Sequence, residues 1–254
     1  MNDTEHIISH FNIAGSVAEV KPLGNGLIND TFKVTTHGDA PDYVLQRINN
    51  SIFTDVDLLQ HNIDAVTTHI RRKLEAEGAA DIDRKVLQFV ASDTGKSYWQ
   101  DSDGSYWRMS VFIPRAFTHE TVNPEYSYYA GKAFGNFEAM LADMSEELGE
   151  SIPDFHNMEL RRRQLHDALK EDRAGRAAGV KDFVAQLEQY ADEMCRAQQL
   201  HREGRLPKRI CHCDTKVNNM LFDEEGHVLC VIDLDTVMPS LFYSDYGDFL
   251  RSAA

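Results

Sequence analysis

The chain has 254 residues, 42% of them hydrophobic, enough to bury one large core or two lobes of ordinary domain size. Its 26 Lys and Arg against 41 Asp and Glu leave a formal net charge of -15, which argues against a nucleic-acid or anionic-membrane partner, because phosphate groups are held by clustered cations. No apolar run approaches the roughly 20 residues that cross a bilayer, and residues 1–10 lack a basic segment followed by an apolar one, so a cytoplasmic chain without disulfides is expected.

In chain order, residues 16–23, 30–36 and 43–48 are β-rich and separated by Gly, Asn, Asp and Pro, which predicts three strands. A helix is expected over 54–77, where Leu59, Ile63, Val66, Ile70 and Leu74 recur at three and four residues and mark one buried face. Further strands are expected at 85–91, 97–100 and 105–113. Together these make an antiparallel sheet with one packed helix.

After Ile113-Pro114 the pattern turns helical, over 125–148, 160–178 and 180–203. In the last segment Phe183, Leu187, Tyr190, Met194 and Ala197 repeat at four and three and are expected in the core. Two short strands follow at 219–222 and 227–232, joined by the turn Asp223-Glu224-Glu225-Gly226. The fold class expected is therefore α+β and bilobal, with lobes at 1–114 and 115–254.

Three of the four cysteines, Cys211, Cys213 and Cys230, fall in strand-like sequence near this point. Neighbours in extended chain point to opposite faces and no second ligand pair follows Cys211-His212-Cys213, so a zinc site is not expected.

The segment from His212 to Asn219, HCDTKVNN, carries the clearest chemistry. Asp214 and Asn219 sit five apart in a loop between a helix and a strand. In that spacing one carboxylate can orient an attacking hydroxyl and take its proton, while an amide oxygen a loop away holds a metal on phosphates. Asp214 is the expected base, Asn219 a metal ligand, and Lys216 the cation for the transferring phosphoryl group. His212 is expected to brace the loop. One hairpin later, Val231-Ile232-Asp233-Leu234-Asp235 is an apolar strand ending in two carboxylates. Asp233 is the expected second magnesium ligand, and Asp235 either a further ligand or a structural partner.

Near the N-terminus, Gly24, Asn25 and Gly26 permit a tight hairpin whose backbone can approach the phosphates of a nucleotide. Arg47 is the candidate cation on the third strand. Its acidic partner on the following helix is not assigned, with Asp55, Asp57 and Asp64 near enough in sequence.

These motifs, in this order, resemble those of the aminoglycoside phosphotransferase and choline kinase superfamily, small-molecule relatives of the protein kinases. Besides the segments already quoted, LQRIN at 45–49, Ile152-Pro153-Asp154-Phe155-His156, the run 232–239 and Tyr246-Gly247-Asp248 carry the resemblance, and the variants present are most similar to those of N-acetylhexosamine 1-kinases. The resemblance implies ATP and magnesium (Mg2+), adenine at a hinge including Phe112 and Ile113, and transfer to the anomeric hydroxyl of an N-acetylated amino sugar. It implies sugar contacts at Phe155 and His156, and Asp248 as the anchor of the catalytic loop. Family members continue with further helices, so the helical lobe is expected to lack its last ones. An aminoglycoside or amino-alcohol phosphotransferase, or a binding module that keeps the fold without catalysis, is the alternative reading.

Overall fold

The computed structural model of the chain describes residues 3–24, 28–119 and 123–253. A short helix, α1 (Asp3–Ile8), precedes the strands β1 (Val17–Pro22), β2 (Asp30–Thr36) and β3 (Tyr43–Ile48). Helix α2 (Val56–Ala76) follows, then β4 (Tyr98–Gln100) and β5 (Tyr106–Val111). The five strands form one antiparallel sheet in the order β1-β2-β3-β5-β4. The segment expected as a strand at 85–91 instead makes only an isolated bridge, Phe89 with Ser110. Its backbone does reach β5, with Val90 N–H donating to Met109 O and Val111 N–H to Gln88 O, but the pairing never runs long enough to make a ladder.

The two faces of the sheet bury different partners because strand side chains alternate. On one face Val34, Tyr43, Leu45, Trp107 and Met109 pack under Ile7, Ile8 and Phe11. On the other lies α2, whose first turn is capped by Asp55 accepting from Leu58 N–H at 2.9 Å. Its expected face is buried at Leu59, Ile63, Val66 and Ile70, with Leu74 partly so.

The helical part contains α3 (Pro124–Leu141), α4 (Met158–Glu171), α5 (Lys181–Met194) and α6 (Arg196–Arg202). Two small two-stranded sheets follow, β6 (Arg209–Cys211) with β9 (Met238–Ser240) and β7 (Met220–Phe222) with β8 (Val228–Val231), before the last helix α7 (Tyr243–Ala253). The expected α+β class holds. One core joins the two parts, since α2 packs against Phe137 and Leu141 of α3 and against Leu234 and Val237 as well as against Ile48 and Tyr98 of the sheet. Among the described residues no helix is long and apolar enough to cross a membrane.

Three helix expectations are corrected. The helix expected to run to 148 ends at Leu141, and the chain then brings Gly149 against α2 so closely that an added Cβ would lie 2.7 Å from Leu58. The one expected over 160–178 stops at Asp172, which takes a left-handed conformation with φ 39°. The one expected over 180–203 is two helices, joined at Cys195. Its supposed core face is exposed, with Phe183 at 63%, Tyr190 at 60% and Met194 at 45%. Periodicity identifies an apolar face but not what covers it.

Asn62, fully buried on α2, ties the two parts together. Its amide donates to Gly149 O at 2.8 Å and Val237 O at 3.0 Å, and its oxygen accepts from Gly149 N–H at 3.2 Å. Asn62→Ala strands three backbone groups out of water and is expected to cost about 2–4 kcal/mol in urea unfolding. A change below about 0.5 kcal/mol would show that these bonds do not hold the parts together.

Candidate active site

The loop between β6 and β7 holds Asp214, Lys216 and Asn219, and it is fixed from below by α7. Asp245, 2% exposed in the first turn of that helix, accepts from His212 N–H at 2.7 Å and from Cys213 N–H at 2.9 Å. Thr215 Oγ1 donates to the Asp245 carbonyl at 2.6 Å. These bonds hold Cys213 in a left-handed conformation with φ 64°. Burial raises the Asp245 carboxyl above the usual carboxylate range, and the neighbouring Glu138 carboxyl on α3, itself raised by burial, pushes the same way. The anchoring role expected of Asp248 therefore belongs to Asp245. Asp248 instead takes Arg251, whose guanidinium donates to Oδ1 at 2.6 and 3.0 Å.

His212 hydrogen-bonds on both sides of the loop. It is fully buried; its Nε2 donates to Ile232 O at 2.9 Å, and its Nδ1 accepts from Asp214 N–H at 3.3 Å. Burial lowers its pKa and keeps the ring neutral, which suits a group that both donates and accepts. Ile232 N–H donates to Asn219 O and Thr236 Oγ1 to His212 O, so loop and metal strand are stitched at three points. Cys211 and Cys213 are buried beneath the loop and Cys230 on β8; burial pushes all three thiols up, Cys230 to about 12, so they pack as apolar side chains.

Asp214 lies 2.8 Å from Lys216 Nζ and accepts from Asn219 Nδ2 at 2.9 Å. The same amide group donates to Asp214 O at 2.9 Å, which fixes Asn219 and leaves its side-chain oxygen without a donor among the described residues. An amide oxygen so placed is a hard ligand, and Asp233 supplies a carboxylate. Asp233 has φ 60° and ψ 55°, a left-handed geometry that an Asp tolerates better than most side chains and that turns the strand end sharply into the next segment. Although the residue is exposed at the surface, desolvation by the surrounding protein raises its carboxyl to about 6, and the Asp235 and Asp214 carboxylates push the same way. A divalent cation beside it would relieve that like-charge crowding, so the donor set fits magnesium.

Asp235 is a structural partner, not an open ligand. Its side chain and that of Arg108 are each 4% exposed, with Nη1 and Oδ1 2.5 Å apart, and its other oxygen accepts from Asn29 Nδ2 at 2.6 Å. Arg108 Nε also donates to Gln46 at 3.0 Å, directly across the β3–β5 pairing. Arg47, one residue on, consequently faces the other side of the sheet and is spent on Asp30, with Nη2 to Oδ2 at 2.6 Å. The cation that reaches Asp235 is thus Arg108. None of the acids considered on α2 serves it: Asp55 caps the helix, Asp57 pairs with Lys96, and Asp64 accepts from Ser97 and Gln60.

At the nucleotide end, Gly24 closes β1 with φ 71°, while Asn25 and Gly26 lie outside the described residues. Phe112 N–H is already bonded to Asp42 O at 2.8 Å and its ring sits under Lys33 Nζ at 4.2 Å. Buried Ile113 has a backbone N–H with no partner among the described residues and is the better hinge donor. Phe155 packs on Cys211, Cys213 and Met238, with the His156 ring stacked on it at 4.5 Å. Burial lowers the His156 pKa, against the pull of Asp248 and Asp214, and both His156 Nδ1 and Asp248 Oδ2 are buried without partners.

Sequence reasoning missed Arg108, Asn29, Asp245 and Glu138. A lone Arg inside the apolar run 105–113 was a signal, because an unpaired charge is rarely buried. Arg108→Met leaves Asp235 enclosed without its cation and is expected to cost about 3–5 kcal/mol in denaturant unfolding, with part of that regained in the Arg108→Met/Asp235→Leu double variant. A single variant as stable as the parent would show that the pair carries no such weight.

With this geometry in place, comparisons with known proteins agree on its type. The spectinomycin phosphotransferase APH(9)-Ia, solved with ADP and spectinomycin, superposes with a TM-score of 0.59 at 14% identity, over 95% of this chain and 70% of that one. A thermostable mutant of aminoglycoside phosphotransferase APH(4)-Ia, in ternary complex with ADP and hygromycin B, gives 0.53 at 15% identity, over 98% and 76%. The choline kinase LicA from Streptococcus pneumoniae gives 0.50 at 16% identity, over 97% and 73%. These likenesses show a shared protein-kinase-like fold. A family model described as "Phosphotransferase enzyme family" matches residues 19–254. The chain therefore belongs to the phosphotransferase enzyme family.

Proposed function

We propose that this phosphotransferase moves the γ-phosphoryl group of ATP, with magnesium, to a hydroxyl of a neutral sugar, specifically the anomeric hydroxyl of an N-acetylhexosamine. The observation that carries the acceptor class is the charge balance around Asp214. Its carboxylate is matched by Lys216, and Asp248 nearby is matched by Arg251. The net charge of -15 is a property of the whole chain. A polycation would meet two fixed positive groups beside the base, whereas a neutral polyol would meet polar atoms still seeking partners, His156 Nδ1 and Asp248 Oδ2. The regiochemistry rests on the motif variants at 214–216 and 233–239.

The residues divide the work simply. Asp214, aligned by Asn219 and Lys216, orients the acceptor hydroxyl and takes its proton as the new O–P bond forms and the bond from phosphorus to the leaving ADP oxygen breaks. Lys216 then offsets charge on the transferring group. Asn219 and Asp233 would hold magnesium, which when bound draws phosphate oxygens together and neutralises them. The β1–β2 hairpin and the Ile113 N–H would take the nucleotide's phosphates and base.

The aminoglycoside or amino-alcohol alternative takes its support from the structural neighbours, which include aminoglycoside phosphotransferases and a choline kinase. A competition assay with ATP, magnesium and equal N-acetylglucosamine, N-acetylgalactosamine, kanamycin and choline separates the readings, with products identified by mass and 31P NMR. A sugar 1-phosphate is expected as the main product. Preferred kanamycin or choline phosphate would overturn the acceptor class, and a 6-phosphate the regiochemistry. Asp214→Asn is expected to lower turnover about 100-fold or more with nucleotide affinity unchanged. Near-parent turnover would remove Asp214 from its role.

A further inference from the structure

A cavity of about 340 Å³ is lined by α2, α3, β8 and the segment 85–87, and none of Asp214, Phe155 and His156 lines it. Val86, Leu87, Phe137, Met140, Val231 and Leu234 form its apolar walls. Its volume falls in the range of small-molecule pockets, and its floor belongs to the core shared by the sheet, α2 and α3. Two lysines, Lys85 and Lys132, stand at its margin, and neither pairs with a carboxylate among the described residues. No acidic residue lines it, in a chain where acids outnumber Lys and Arg by 41 to 26. The remaining titratable groups on the wall are Tyr129 and His227, and the His227 ring already faces Asp223 at 3.4 Å.

We propose that this cavity is a regulatory binding site for a small amphiphile with an apolar body and a single anionic head, such as a medium-chain carboxylate. The apolar walls take the body, and the lysine pair takes the head at the mouth, where charge complementarity runs against the sign of the whole molecule. Leu234 connects the site to the phosphotransfer machinery. It is 3% exposed, lines the cavity, and directly follows Asp233, the residue that takes the left-handed turn. An occupant that fills the space beside Leu234 favours the turn geometry described above and so tightens binding of the metal-bound nucleotide. That coupling, though not the site itself, rests on Asp233 as the metal ligand.

The probe is octanoate below its micelle concentration, with 1-octanol as its neutral match and octylammonium as its cationic one. Binding is read without nucleotide by the 13C-methyl NMR signal of Met140 and by calorimetry. Octanoate is expected to shift Met140 and to bind about tenfold more tightly than octanol, with octylammonium weaker still. The Lys85→Glu/Lys132→Glu variant, changed only at the margin, is expected to lose that preference while keeping its melting temperature and its turnover. Absence of octanoate binding, or equal affinity for octanoate and octanol, or an unchanged preference in the variant, would overturn the site. Saturating octanoate is expected to tighten magnesium–ATP binding about fivefold or more, with a reciprocal gain for octanoate. If octanoate binds but nucleotide affinity stays level or weakens, the coupling is wrong. If Asp233→Asn leaves magnesium–ATP binding intact, the metal assignment fails and the binding site stands by itself.

Discussion

Asp235 holds a charge where water scarcely reaches, and both its oxygens are taken, one by Arg108 from the middle of the sheet and one by Asn29 beside the β1–β2 hairpin. Removing two charges from water costs several kcal/mol per ion, so such a pair persists only where geometry returns it. What it returns here is position. The metal strand, the sheet and the hairpin edge meet at one carboxylate, so Asp233, two residues earlier, is delivered to the same point whenever the fold is intact. Asn29 extends the fixation, because its oxygen also accepts from Asn49 N–H at 2.9 Å at the end of β3.

The catalytic loop is fixed by a second and separate device. Asp245 holds it from α7, and His212 ties it to the metal strand through Ile232. Both anchors are buried, and Asp214, Lys216 and Asn219 hold one another above them. This separation explains how a short loop with a single 3-10 turn at Val217–Asn219 can keep Asp214, Lys216 and Asn219 in register. It also assigns Cys211 and Cys213: they are the small apolar packing beneath the loop.

Features that depend on local spacing were legible in the sequence. Asp214 and Asn219 are five apart in one loop, Asp233 ends an apolar strand one hairpin later, and the face of α2 repeats at helical period. Residues whose role depends on which side is buried were not. Arg47 and Arg108 are both strand cations, and only the alternation of β3 and its pairing with β5 show that Gln46 faces inward beside Arg108 while Arg47 faces away. Asp245 and Asp248 sit on one helix three residues apart, and burial alone distinguishes the anchor from the residue paired with Arg251. The apolar face of α5 reads as core by period yet is open among the described residues. Periodicity is a property of one element, and coverage is a property of two.

The account turns on Asp233 holding the metal while Asp235 holds the structure. Manganese can stand in for magnesium and be followed by electron paramagnetic resonance as it binds with ATP to the parent, Asp233→Asn and Asp235→Asn proteins, each at a temperature where it is folded. The account predicts that Asp233→Asn weakens nucleotide-dependent manganese binding about tenfold or more, whereas Asp235→Asn lowers stability and changes manganese affinity far less. Equal losses in the two variants, or the larger loss in Asp235→Asn, would contradict it.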